Sequence, residues 1–419
     1  MNQGARSAVK TAIVVAVLAF NVFYYARSFG ARKNGIDFPA FYSAARMVLS
    51  GNASRLYDVT AQQQYQAQYT GRIGVLFNHP PFEALLYLPA ALLSYAKGYF
   101  LWTVVTTCLT ATAMFLMNRA AEVFSDSGLL IMLAFVFAPV TLDLLQGQDA
   151  AVLLLIYAIF YSRLRRDDFF WAGGVLALGL IKPHLVLPCF LIIAIARRSG
   201  KFVAGFAVGA AGLALVSLAV FGPRVFEAYP RFILNSAQLG IPGYATPAMA
   251  NLRGLLSLVL ANSWWRAAVL IPGSIMLIWI AVRSWSRFNE LCSPVFEAAG
   301  PPQAPSKAAF DLAFSNAIVV TLLVSYHLSP HDATLLLIPI VLGLGYLRQR
   351  GLGRDPLKIF LAVLLVGLFL PPLHVLVLGI KTYALVAIPL LLFSGCLMAA
   401  ATEGKGGSSE RVNAAPTHT

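Results

Sequence analysis

Charge is what this sequence has least of. Asp, Glu, Lys and Arg together make up 11% of its 419 residues, against about 25% in a soluble domain. Too little polar surface remains to face water all round. That excludes an ordinary water-soluble enzyme, and so apolar a chain is not a disordered one. Cysteine is scarce as well, with four residues at Cys108, Cys189, Cys292 and Cys396 and no CxxC pair. Three of them lie inside apolar runs and read as packing residues, so neither a disulfide scaffold nor a cysteine metal centre is expected. No small-residue cleavage site follows the first apolar run, which therefore does not read as a removable signal peptide. No internal repeat is visible, and many transporters carry one.

What is present is apolar sequence in long runs. Hydrophobic residues make up 59% and the mean hydropathy is +0.74, the composition of an all-α polytopic membrane protein. The net charge is +14, but the basic residues stand in short clusters between apolar runs, where topology determinants belong. They imply a lipid bilayer as partner and no nucleic acid. The first run reaches from Thr11 to Phe29, and others lie near 95–117, 202–221, 264–282, 308–326, 332–346, 357–373 and 382–400.

Two longer stretches are interrupted, one by Gln146-Gly147-Gln148-Asp149 and one by Lys182-Pro183-His184, and each is flanked by basic clusters. If those clusters stay inside, each stretch crosses twice with a polar tip outside. The tightest arms have about 12 or 13 residues and reach only roughly 20 Å of a ~30 Å hydrocarbon core, so the tips belong in a protein-lined cavity. The expected topology has about 10–12 spans, twelve on the fullest count, with both termini cytoplasmic. Residues 1–402 form one membrane domain, with external loops at 30–94 and 222–263, a cytoplasmic linker at 284–307 and a disordered tail at 403–419.

Ionisable groups are costly in a bilayer, so those present are candidates for function. Asp37 heads Asp37-Phe38-Pro39-Ala40-Phe41-Tyr42 directly after the first span. It reads either as a general base, its pKa raised by apolar surroundings, or as the N-cap of an amphipathic interfacial helix that follows. His79, in His79-Pro80-Pro81, binds substrate or serves the turn. Lys182 and His184 sit at a hairpin tip, where the lysine either meets a phosphate or snorkels to the interface. His327 and His331 beside Asp332 have a divalent-ligand spacing, but Pro330 intervenes and no third strong ligand stands nearby. Hydrogen bonding to an anion or sugar is the expectation there, with no metal and no cofactor.

These residues form blocks. Asp37-Phe-x-x-Phe-Tyr-x-Ala-Ala-Arg46, Leu49-x-Gly51, Leu56-Tyr57-Asp58, His79-Pro-Pro-Phe-x-Ala-Leu-Leu-x-Leu-Pro89 and Leu101-Trp102 resemble glycosyltransferase family 87. Gly147-Gln148, Lys182-Pro183-His184 and Ser329-Pro330-His331-Asp332 look like that family's later blocks, so the resemblance covers about residues 35–345. It implies a GT-C-type helical bundle with an interfacial helix in the first external loop. It also implies an inverting hexosyltransferase, mannose foremost, that uses a polyprenyl-phosphate-linked sugar donor and a lipid or glycan acceptor. The active site would face the periplasm or outside of a bacterial inner membrane. On this resemblance Asp37 is the general base. Lys182, His184 and His331 are the donor-phosphate residues, and Tyr42, Arg46, His79, Gln148, His327 and Asp332 bind substrate. The competing reading is a transporter or flippase of lipid-linked sugars.

Overall fold

The structure, a computed structural model, describes residues 37–71, 73–235, 246–291 and 305–402 together with the isolated positions Ala12 and Ala16; the side chains of 287–291 and 305–306 are not described. The expected first span, most of the cytoplasmic linker, residues 236–245 of the second external loop and the C-terminal tail lie outside the described residues.

Among the described residues every regular element is a helix. Phe38–Leu49 form α1 and Val59–Thr70 α2, and a 3-10 turn at Pro81–Tyr87 leads toward the long α3, Tyr95–Ala121. Then come α4 (Ser127–Ala134), α5 (Ala138–Gln146), α6 (Ala150–Leu164), α7 (Phe169–Leu178) and α8 (Pro183–Arg197). α9 (Gly200–Phe221) precedes two short helices, α10 (Val225–Asn235) and α11 (Leu252–Val259). The rest comprises α12 (Ser263–Leu291), α13 (Pro305–Val324), α14 (Leu337–Arg350), α15 (Pro356–Phe369), α16 (Pro371–Gly379) and α17 (Ala387–Thr402).

Six helical segments are long and apolar enough to cross a membrane, and eight if each of two bent pairs is one span. α4 and α5 meet at 63° and α15 and α16 at 56°. In the second pair Pro371 and Pro372 force the break: Leu370 is extended, at φ −69° and ψ 133°, as a residue before proline prefers. The expected count of twelve also includes the undescribed first run and three short apolar helices, Ala150–Leu164, Phe169–Ile181 and Pro183–Arg197. The first and the third contain the tightest arms read from the sequence, and none of the three is long enough to cross alone. The chain is a polytopic helical membrane protein.

Burial separates the helices by role. Of the apolar stretches in α13 and Pro330–Arg350, 89% is buried inside the protein, but only 17% in α9 and α12. The first two are central. The others turn Val208, Leu215, Ile275 and Trp279 outward, as lipid-facing helices do. α7 and α9 pack through glycine: a Cβ at Gly173 would fall 2.1 Å from the Phe202 carbonyl oxygen, and one at Gly205 would fall 1.9 Å from that of Phe170. Small residues allow such backbone approach between membrane helices. Gly205→Val is therefore expected to force α7 and α9 apart and to cost roughly 1–3 kcal/mol. Thermal unfolding in nanodiscs measures this, and an unchanged midpoint would mean that the two backbones are not in contact.

One expectation changes. The helix of the first external loop is present as α1, but it does not lie on lipid with one face. Phe38, Phe41, Tyr42, Ala44, Ala45 and Met47 are all buried. Aromatic partners account for this: Phe41 stacks on Tyr87 with centroids 4.5 Å apart, and Phe38 packs edge-on to Tyr99 at 5.2 Å. α1 is a plug inside the protein, and its first residues face a cavity.

Candidate active site

The position of Asp37 is set by a glycine. α5 ends at Gln146 because Gly147 takes a left-handed turn, φ 67°, and a Cβ there would fall 2.7 Å from the Cβ of Phe38. Glycine thus makes the turn and admits α1 beside it. The Asp37 backbone N–H then donates to the Gln146 carbonyl at 3.1 Å, and the Gln148 side-chain amide donates to Asp37 Oδ2 at 2.7 Å. Asp37 occupies the N-cap position of α1, yet its side chain caps nothing. Of the two readings open for this residue, capping falls away. Burial pushes its carboxyl above the usual carboxylate range, opposed by the Gln148 hydrogen bond and the positive charge of Lys182.

Asp37 opens onto a cavity of about 570 Å³. The same cavity is lined by His79, Gln148, Lys182, His184, His327, His331 and Asp332, so most of the predicted site residues meet in one place. Tyr42 and Arg46 do not line it. The Tyr42 hydroxyl donates to the Leu93 carbonyl at 2.7 Å, and Arg46 donates to that hydroxyl and to the same carbonyl. They fasten α1 to the turn that precedes α3, a structural task in place of the expected contact with substrate.

Lys182 also differs from expectation. Its ammonium is buried between two carboxylates, 2.9 Å from Asp149 Oδ1 and 2.5 Å from Asp332 Oδ1. The two interrupted tips therefore meet: the Gln146–Asp149 turn supplies one partner and the Lys182 turn the cation. Snorkelling is ruled out by this burial. Asp332 is held in place because its other oxygen accepts from the Ser329 backbone N–H at 2.9 Å. Among the described residues lining the cavity Lys182 is the sole Lys or Arg, and its charge is already matched by two acids.

The histidines surround this ion group. His331 Nδ1 is 2.6 Å from Gln146 Oε1. His327 Nε2 meets the Ser329 hydroxyl at 2.9 Å, and the His184 and His327 rings lie edge to face, 5.9 Å apart. His79 meets Glu83 through Nδ1 at 2.9 Å, and burial lowers its pKa to about 4. Sequence reasoning passed over three residues with parts here: Gln146, Glu83 and Asp149. The signals were present but faint. Glu83 stands four residues after His79 in a proline-started turn, and Gln146 and Asp149 bracket a polar tip in an apolar stretch.

Gln148 gives a separable prediction. Its amide stabilises the ionised form of Asp37, so Gln148→Ala is expected to raise the Asp37 pKa further. If the ionised carboxylate is needed for activity, the acid limb of the pH–rate profile moves up by about one unit. An unmoved limb would separate Gln148 from the titration of Asp37.

The family model for glycosyltransferase family 87 matches residues 77–300. That range contains His79, Gln148, Lys182 and His184, and it leaves Asp37, His327, His331 and Asp332 outside. No curated protein and no solved structure matches the chain. The match covers more than half of the sequence and falls on a helical membrane scaffold whose polar tips converge on one cavity. The chain belongs to glycosyltransferase family 87 and is a membrane glycosyltransferase.

Proposed function

We propose that this protein moves a hexose, mannose foremost, from a polyprenyl phosphate to a hydroxyl of a lipid or glycan acceptor, with inversion. The reaction takes place on the outer face of a bacterial inner membrane, and Asp37 is the base. One observation carries the reading: a half-buried carboxylate freed from capping faces the same cavity as Lys182, His184 and His331.

The chemistry needs few groups. The acceptor O–H gives its proton to the Asp37 carboxylate while its oxygen attacks the anomeric carbon. The bond from that carbon to the phosphate oxygen breaks on the opposite face, and polyprenyl phosphate departs with the electron pair. Phosphate is a good leaving group, so one base suffices where glycoside hydrolysis uses two carboxyl groups. The donor phosphate lies on the Lys182, His184 and His331 side, where positive charge and N–H donors meet the charge that builds on it. His79, Gln148, His327 and Asp332 are left for the sugar and the acceptor.

The test uses purified protein in lipid nanodiscs with radiolabelled polyprenyl-phosphate mannose and a membrane extract as the acceptor source. Label moving into a new lipid or glycan supports the reading. Label that stays on the donor in nanodiscs but crosses the bilayer of proteoliposomes would overturn it in favour of a flippase.

A further inference from the structure

At the cavity wall a second group of side chains is brought together, of which the transfer chemistry uses His79 alone. His79, Glu83 and Asp149 each offer a ligand atom, and these atoms lie within 4.8 Å of one another. We propose that His79, Glu83 and Asp149 form a site for one divalent transition-metal cation of the Mn²⁺ or Zn²⁺ kind.

Local structure prepares each ligand. Pro80 and Pro81 start a 3-10 turn that places Glu83 four residues after His79 on one side, and the Nδ1–Oε2 distance is 2.9 Å. Asp149 stands at the N-cap position of α6 but makes no cap hydrogen bond. Asp143 does that work instead, accepting from the Ala150 and Ala151 backbone N–H groups at 2.9 and 3.1 Å. The Asp149 carboxylate is thereby freed from its own helix.

The unmet polar atoms are the second observation. Glu83 and Asp149 are fully buried. Glu83 Oε1 and Asp149 Oδ2 have no hydrogen-bond partner, and Asp149 Oδ1 meets only the Lys182 ammonium, at 2.9 Å. Asp149 has the ion pair with Lys182, but Lys182 also serves Asp332. Three buried carboxyl groups, Glu83, Asp149 and Asp332, share one ammonium, and ionising all three without a further cation is costly in a low-dielectric interior. A divalent cation supplies the missing charge. One imidazole and two carboxylates suit Mn²⁺ or Zn²⁺ better than a soft metal, and a tightly bound Mg²⁺ would favour an all-oxygen set.

The site stands next to the catalytic cavity through His79, which lines it. Resting on the transferase reading above, the cation adds the positive charge toward a departing phosphate that Lys182, matched by two acids, does not supply alone. The binding claim does not depend on that role.

The experiment is Mn²⁺ binding to metal-stripped protein in nanodiscs, without donor or acceptor, followed by electron paramagnetic resonance with Zn²⁺ as competitor. One saturable Mn²⁺ per chain is expected, displaced by Zn²⁺ and weakened at least tenfold in Glu83→Gln and Asp149→Asn. Asp58→Asn, whose carboxylate is taken up by Arg55 and by the start of α2, is expected to bind like the wild type. His79→Ala, the least buried ligand, carries the test should either acid variant fail to fold, as judged by its melting profile. No stoichiometric binding to the wild type would overturn the proposal, and so would equal affinity in the folded ligand variants. Binding by a protein that transfers no sugar would leave the site standing and count against the transferase reading alone.

Discussion

Asp37→Asn is expected to remove sugar transfer while leaving donor binding in place. The substitution conserves volume and keeps an oxygen that accepts from Gln148, whose amide lies 2.7 Å from Oδ2. It removes the negative charge and the ability to take a proton, and general base catalysis is worth about 10²–10⁴-fold. A loss of that size, with donor affinity unchanged, separates a base from a binding residue. Stability provides the second axis. The folded-state pKa of Asp37 is raised by burial, so the unfolded chain ionises it first, and its ionisation destabilises the fold as pH rises through the native value. Above that pH the asparagine variant is expected to unfold at the same temperature or slightly higher. Transfer lost together with a lowered melting temperature would make Asp37 a structural residue. Full transfer in the variant would remove it from the mechanism.

With Asp37 as the base, the same raised pKa is expected to give the wild-type enzyme an acid limb, transfer falling as pH drops through the native Asp37 value, which lies above that of an ordinary aspartate. Gln148→Ala moves this limb up and Asp37→Asn abolishes it, so the two variants read one titration from opposite sides.

Much of this arrangement was legible in the sequence because lipid restricts what polar residues can do. Two polar interruptions in apolar stretches, at Gln146–Asp149 and Lys182–His184, had to be cavity features, and both line the cavity. Their short arms were legible by length alone. What was not legible is pairing across large separations. Nothing local indicates that Lys182 lies between Asp149 and Asp332, the latter 150 residues away, and a lysine at a helix start looks the same whether it awaits a phosphate or already has partners. Tyr42 and Arg46 misled for the reverse reason. They belong to the same motif as Asp37, but at about 100° per residue the five and nine positions that separate them from it turn them to the other side of α1, onto the Leu93 carbonyl. The interfacial reading of α1 weighed its own apolar face and had no means of counting Tyr87 and Tyr99, which cover it from elsewhere in the chain.

Lys182→Ala is expected to be the most destabilising single change in the cavity. Its ammonium is 2% exposed and its partners Asp149 and Asp332 are 0% and 2% exposed, so removing it leaves two carboxylates facing each other without water. Breaking a buried ion pair from one side costs about 3–5 kcal/mol, because the remaining charge keeps its desolvation penalty and loses its partner. Donor binding is expected to weaken as well, but loss of the fold comes first, and a binding measurement on this variant alone cannot separate the two. A compensated pair can. In the Lys182→Ala background, Asp332→Asn removes one stranded charge and keeps the acceptor oxygen for the Ser329 N–H, so part of the lost stability should return. Asp332→Asn alone leaves Lys182 with Asp149 and should cost less than Lys182→Ala. The double variant should therefore melt above Lys182→Ala and below the wild type, and its donor affinity can then be measured on a folded protein. A double variant no more stable than Lys182→Ala would mean that the carboxylates do not depend on the ammonium. If donor affinity in the folded double variant matched the wild type, Lys182 would be an internal counter-ion, with the phosphate held by other groups.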